Sequence, residues 1–463
     1  MTFEEASGQY SLYECIQLTE AKYHRSRPQF EIAENANFST AIANAQTGNS
    51  PQLSRRIIFD VSCLIGIRVI TGIQRVTLEY VRALAAMAEA GLLELEFVAA
   101  RNNTYERYEL DVQASAHEAP RFLTLGAPFQ FHFSDQLFIA DIRLDWLDQT
   151  FTAVARAKQA GAIVTFQVHD LVAIVNTGWV DPKLTMSIFV RWSQILRFAD
   201  RIVAVSRKVA RDIACFVTAT SMVGLSPTRR LPVAYCTLGC DPASLPHVQS
   251  KGFVFPSGSP ALMATGSFTD RKGTIPLVAA MQMLWDEGLP CSLVVSGMDI
   301  DRGAIRKQLS THQHLNEKLF FPGYLPDAEM FQAYRQCSAL VYPALDEGFG
   351  LPLVEAAHLG CPIIARDIEI FRETSGGEAF FFENGDAGKI AEGLRKWFAL
   401  TRKKQLEFVP AKSLVTWRQS AAMLTEIMFQ GAACFALDVG VRASMNLVVP
   451  SPVGDLARQG DAP

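Results

Sequence analysis

The sequence predicts an α/β protein built from two doubly wound parallel-sheet domains in tandem, facing each other across a cleft. From Arg56 onward, apolar runs of strand length alternate with amphipathic runs of helix length, the pattern of a parallel sheet covered on both faces. The rhythm breaks at residues 241–260 (DPASLPHVQSKGFVFPSGSP) and then restarts. At 463 residues the chain also exceeds what one core usually organises, so two domains with accessories are expected.

Residues 1–54 are polar, lack a sustained period and are read as an extension, part helical and part disordered. RIIFDVSCL is then a buried strand, TGIQRVTLEYVRALAAMAEAG a loop opening into an amphipathic helix, and LLELEFVAA a second strand. TFTAVARAKQAG with AIVTFQVHD, and MSIFVRWSQILRFAD with RIVAVS, repeat the helix–strand unit; RKVARDIACFV and LPVAYCTLG close the half. The second half reads ALMATGS, TIPLVAAMQMLWDEG, CSLVVSGM, AIRKQLSTH, LFFPGY, DAEMFQAYRQC, ALVYPAL, PLVEAAHLG and CPIIARD, alternately strand and helix. Helices at KIAEGLRKWFAL and SLVTWRQSAAMLTEIMF end it. The expected organisation is an extension at 1–54, an N-terminal domain at 55–245, a C-terminal domain at 246–428 and a mobile tail at 429–463.

Composition removes several classes. Apolar residues make up 49% and charged residues 19%, which is globular. A net charge of −4 gives no global attraction to nucleic acid or anionic lipid. The nine cysteines are scattered without a CxxC pair or zinc spacing, which suits a reducing compartment. The start MTFEEASGQY is unlike a secretory signal, and no run of about 18 apolar residues is present. A cytoplasmic protein is expected, with peripheral membrane contact left open. No complete GxGxxG, GxxxxGK[ST] or GxSxG occurs, which argues against a nicotinamide dehydrogenase, a P-loop NTPase and an α/β-hydrolase.

Ligands of doubly wound sheets bind at the carboxyl ends of the strands, and the chemistry-bearing residues fall there. In YPALDEGFGLPLVEAAHLGC, Glu347 precedes a loop of Gly348, Phe349, Gly350 and Leu351, and Glu355 lies in the helix that follows. Pro352 suits the start of a helix. The glycines let backbone approach a ligand, and free N–H groups at the helix start attract an anion. Glu355 is placed to accept hydrogen bonds from hydroxyls such as those of a ribose. The same spacing also fits a carboxylate that favours the helix dipole and a solvated Glu347.

In ATGSFTDRKGT, a strand ends at Gly266 and Ser267, and Arg271 and Lys272 precede a helix. One such cation 4 Å from a leaving phosphate contributes about 4 kcal/mol before desolvation at an effective dielectric of about 20; a solvated basic turn is the alternative. His169 and Asp170 end the strand AIVTFQVHD, where His169 could donate to a substrate hydroxyl or phosphate or be structural. Gly72 and Arg75 stand at the first helix entrance.

Together these stretches resemble the retaining GT-B glycosyltransferases, the large family of bacterial mannosyl- and glucosyltransferases whose signature is two glutamates separated by seven residues. EGFGLPLVE carries that signature, and the likeness extends over TGIQRV, VHD, RIVAVS, TLGCD, GSFTDRKG, FPGYLPDAEMFQAY and FRETSGGEAFFF, roughly residues 56–427. Many relatives carry an Arg where this chain has Ser267.

The resemblance implies that Arg271 and Lys272 neutralise the donor diphosphate and that Glu355 binds the ribose. Glu347, with the backbone at 348–351, would hold the sugar and distal phosphate. His169 would reach the sugar from the opposite domain, and Gly72, Ile73 and Arg75 would lie near the acceptor and phosphate entrance. It further implies transfer with retention of configuration by same-face attack, needing neither cofactor nor metal.

The combination looks most like transferases of O-antigen and exopolysaccharide assembly. The expected donor is GDP-mannose or a related GDP-deoxyhexose, and the expected acceptor a lipid-linked glycan at the cytoplasmic membrane face. A UDP-hexose donor and a non-catalytic scaffold are the rivals. Arg207, Lys208 and Arg211 could touch lipid headgroups or form a solvated helix face.

Overall fold

The computed structural model describes residues 55–67, 70–111, 121–179, 181–222, 230–241, 253–256, 258–298, 303–375, 379–403, 414–430 and 435–438. The expected extension at 1–54 and the expected junction at 246 lie outside the described residues.

The first domain opens with β1 (Arg56–Asp60), buried from its second residue onward. Helix α1 (Gly72–Glu89) follows, and the Gln74 side chain caps the Thr71 N–H at 3.2 Å. Then come β2 (Glu94–Arg101), β3 (Thr104–Asp111), β4 (Arg121–Pro128) and β5 (Gln136–Ile139). Helix α2 (Leu147–Gln159), β6 (Ile163–Val168), the short α3 (Val172–Val175), α4 (Pro182–Phe198), β7 (Arg201–Ala204), α5 (Arg207–Met222) and β8 (Arg230–Tyr235) complete the half. Helix α4 starts where expected from chemistry: Pro182 lacks the donor that would go unpaired, and the Asp181 carboxylate accepts the Lys183 N–H at 2.9 Å.

The second domain runs β9 (Ala261–Thr265), α6 (Thr274–Asp286), β10 (Ser292–Ser296), α7 (Ala304–Ser310), β11 (Leu319–Gly323), α8 (Asp327–Gln336), β12 (Ala339–Tyr342), α9 (Leu351–His358), β13 (Ile363–Arg366), α10 (Glu369–Thr374), β14 (Phe380–Phe382) and α11 (Ala387–Arg402). Helix α12 (Trp417–Gln430) and β15 (Phe435–Asp438) end the described chain.

The second sheet is parallel throughout, in the order β11-β10-β9-β12-β13-β14. The chain starts in the middle and winds outward in both directions, so the strand order reverses between β9 and β12, the place where such sheets bind ligands. Apolar clusters pack both of its faces.

The first sheet, β15-β8-β7-β6-β5-β1-β2-β3-β4, is parallel from β8 through β2, as expected except for β5, which the sequence reading did not include. Its edges are antiparallel: β3 and β4 add a meander to β2, and β15 pairs with β8. The expected domain limits are corrected at the C-terminal end. Helix α12 returns to the first domain, where Trp417, Leu424 and Met428 join its core. The Tyr80 hydroxyl lies 2.9 Å from Ser420 Oγ, and Asp241 accepts the Trp417 N–H at 2.9 Å. Part of the stretch expected to be a mobile tail therefore supplies an edge strand, because β8 offers it unpaired backbone groups.

Candidate functional site

Two loops flank the reversal point of the second sheet. The one after β9 carries Gly266, Ser267, Arg271 and Lys272, and ends at Gly273 in the left-handed region with φ 69°. A Cβ on Gly273 would lie 2.6 Å from the Pro343 carbonyl oxygen, so the two loops touch where only glycine fits. The loop after β12 carries Glu347 and delivers Gly350 to the start of α9, where no side chain caps the free N–H groups.

The first domain closes over these loops. The Ser206 hydroxyl donates to the Gly348 carbonyl at 2.7 Å. Between the domains lies a cleft of about 480 Å³, within the range of roughly 300–1,000 Å³ usual for small-molecule sites. Every site residue named from the sequence lines it: Gly72, Arg75 and His169 from the first domain, and Gly266, Ser267, Arg271, Lys272, Glu347, Gly348, Phe349, Gly350, Leu351 and Glu355 from the second.

Glu347 is 7% exposed. It contacts the Lys272 ammonium, lies 3.2 Å from the Arg271 guanidinium and accepts the Tyr342 hydroxyl at 3.0 Å. Burial opposes its ionisation, but Lys272 and then Arg271 outweigh burial and hold its carboxyl down at about 2, from an ordinary 4.5. A carboxyl depressed on folding contributes stability that is present above pH 4.5 and is lost as pH falls through about 2. Denaturant titrations of the native protein and Glu347→Gln are expected to differ most at neutral pH. The gap should close between pH 4.5 and 2; a gap independent of pH would refute the assignment.

Glu355, 2% exposed, is met by the Arg75 guanidinium at 2.7 Å across the cleft. Arg75 also lies 3.4 Å from Asp327 and over the Phe331 ring. Burial raises the Glu355 carboxyl above its usual range, with Arg75 opposing the shift. The first-domain arginine expected near an acceptor and phosphate entrance thus neutralises the carboxylate expected to bind ribose.

His169 Nε2 lies 2.9 Å from the Ala140 carbonyl. A carbonyl only accepts, so Nε2 carries the proton and Nδ1 is the nitrogen able to accept. Burial lowers the His169 pKa, which favours this neutral form. The donor role expected of His169 is therefore spent on backbone, and a ligand hydroxyl would have to donate to it.

Tyr342, which orients Glu347, and Asp327 and Tyr334, which also line the cleft, were not read from the sequence; Asp170, named there beside His169 without a role of its own, lines it too. Tyr342 does end a strand, a signal that could have found it. The lipid-facing alternative for Arg207, Lys208 and Arg211 is overturned for Lys208. Lys208 is buried against Asp212 and Asp346, and Arg211 pairs with Glu369 of the second domain.

Residues 248–411 match the family model described as glycosyl transferases group 1. Over 407 residues, 85% of this chain and 48% of the relative, the chain is 29% identical to a serotype-specific mannosyltransferase, WbdA, of Escherichia coli. It is 34% identical over 80 residues, 17% of this chain and 23% of the relative, to the O-antigen chain mannosyltransferase RfbU of Salmonella typhimurium. The chain spans about half the length of the WbdA relatives it matches.

Among solved structures, the catalytic domain of starch synthase IV from Arabidopsis thaliana superposes with a TM-score of 0.57 at 11% identity, covering 82% of this chain and 99% of that one. A sucrose-phosphate synthase from Thermosynechococcus elongatus gives 0.53 at 16%, covering 81% and 95%. The chain has the GT-B fold, and its second domain carries the pattern of the group 1 glycosyl transferases. No described helix is long and apolar enough to cross a membrane.

Proposed function

We propose that the protein is a retaining mannosyltransferase of bacterial surface-polysaccharide synthesis. In this reading it takes mannose from a GDP-linked donor and passes it to a lipid-linked glycan. The observation that carries the reading is the layout of the cleft between the domains. One carboxylate, Glu347, precedes a glycine loop and a second, Glu355, lies in the helix after it, with the uncapped helix start between them in sequence; two cations, Arg271 and Lys272, stand against the first. That sequence of groups matches sugar, diphosphate and ribose in order. The mannosyltransferase relatives support the sugar and the pathway class.

In the proposed reaction the bond from the anomeric carbon to the diphosphate breaks, and negative charge collects on the leaving phosphate. Arg271, Lys272 and the helix start are placed to receive that charge, the kind of preorganised electrostatics that dominates many enzymes. The acceptor hydroxyl attacks the same face of the sugar, and a donor phosphate oxygen takes its proton. Glu347, locked by two cations and Tyr342, is then a positioning group for the sugar rather than a nucleophile, unlike the paired carboxylates of hydrolases. The ribose hydroxyls would displace Arg75 from Glu355. No metal or cofactor takes part in this scheme.

The test is the melting temperature with GDP, UDP, ADP and dTDP, each at about 1 mM; a ligand at 100 times its dissociation constant stabilises by about 2.7 kcal/mol. A shift with GDP alone, followed by GDP release from GDP-mannose, is the expected result. A shift with UDP alone would replace the donor and keep the chemistry. No shift with any nucleotide would refute the enzyme and favour a scaffold.

A further inference from the structure

Lys208, the second residue of α5, is 3% exposed and does not line the cleft. Its Nζ lies 2.8 Å from Asp212, one turn along its own helix, and 2.7 Å from Asp346 Oδ1 in the other domain. The same Asp346 oxygen accepts the Glu347 N–H at 2.8 Å, while the Asp346 carbonyl accepts from Arg271 at 2.6 Å. One carboxylate oxygen is therefore shared between an ammonium of the first domain and the backbone of Glu347 in the second.

The neighbours of Lys208 hold the same place. Ser206 donates to the Gly348 carbonyl, and Glu373 of the second domain accepts the N–H groups of Arg207 at 2.7 Å and Lys208 at 3.1 Å. Burial works against the Lys208 charge, but Asp212 and then Asp346 outweigh it and keep the amine protonated. Well-packed apolar side chains often close a buried contact at least as stably as an ion pair. Stability alone therefore does not account for a lysine at this position. What the ion pair adds is a fixed geometry.

We propose that Lys208 is a positioning residue for the Glu347 loop. Through Asp346 it sets the Glu347 backbone only when the domains are closed. The sugar end of the site is thereby completed by the first domain, while Arg271, Lys272 and Glu355 build the nucleotide end within the second. The proposal rests on reading Glu347 as the group that holds the donor sugar, and it adds that this group depends on closure.

Four variants of the full chain test it: Lys208→Met, Asp346→Asn, the two combined, and Lys208→Arg. For each, the GDP dissociation constant is measured by calorimetry and GDP-mannose turnover by steady-state kinetics, with the melting temperature as a folding check. Asp346→Asn keeps an oxygen for the Glu347 N–H and guards against a Lys208→Met protein that fails to fold.

Lys208→Met is expected to keep GDP affinity and donor KM near native while kcat falls by about 10²-fold, the loss a misplacement of about 1 Å can cause. The combined variant should be no slower than the slower single one, and Lys208→Arg should recover most of the rate. Native kcat in Lys208→Met overturns the proposal. So do losses of GDP affinity and kcat that track the melting temperature, or losses that multiply in the combined variant. A native protein that neither binds GDP or UDP nor turns over GDP-mannose or a UDP-hexose overturns the functional reading and, with it, the role of Lys208. Native turnover with unaffected variants overturns the role of Lys208 alone.

Discussion

Lys272→Ala is expected to lower the rate of sugar transfer by about 10²–10³-fold, the loss typical of removing one preorganised donor at a developing anion. Lys272 and Arg271 stand on the loop at the sheet's reversal point, both against Glu347. The alanine variant leaves Arg271 at 3.2 Å from Glu347, so the carboxylate keeps one partner and the domain should still fold. Its melting temperature should fall, because a buried carboxylate loses its nearest cation. The stabilisation gained from nucleoside diphosphate should shrink as well. Initial rates at saturating donor check the first effect, and melting curves with and without GDP check the second. A rate within a factor of a few of native would remove Lys272 from the leaving-group site.

Gly348→Ala is expected to cost about 10²-fold in rate, from displacement of the Glu347 loop rather than from loss of a chemical group. A Cβ at this position would lie 1.7 Å from the His169 carbonyl oxygen and 3.1 Å from Asp170 Cβ. The backbone of Gly348 is not in the left-handed region, so alanine is excluded only by the approach of the opposite domain. The domains would have to part by more than an ångström, breaking the Ser206 hydrogen bond to the Gly348 carbonyl. Each domain keeps its own core, so the variant should stay folded. Small-angle scattering should report a more open particle, with GDP affinity largely kept and transfer reduced. Native transfer with native scattering would show that the two loops do not need this contact.

These two substitutions differ in how far they could be foreseen. Arg271, Lys272, Glu347 and Glu355 were legible because each motif is contiguous: a strand end, a glycine turn and a helix start are local, and local patterning places charges on the carboxyl side of a parallel sheet. The same reasoning found most strands and helices of both domains. It passed over β3 and β4, since an antiparallel meander at a sheet edge carries weaker patterning than a buried parallel strand, and over β5, a buried parallel strand of only four residues. It also assigned α12 to the wrong domain, because an amphipathic helix announces that it has an apolar face but not which core receives it.

The sequence by itself determined the two doubly wound domains, the loops that line the cleft, and the glutamate, arginine and lysine side chains that these loops and the helix after them carry. The tertiary structure alone decided how the halves meet. It put Arg75 on Glu355, sent the Nε2 proton of His169 to the Ala140 carbonyl, and buried Lys208 between Asp212 and Asp346 instead of leaving it to lipid or water. The physical reason is range. Helix and strand periods record which face is apolar over a few residues, whereas an ion pair between residues 138 positions apart leaves no local period and exists only once the two domains have closed.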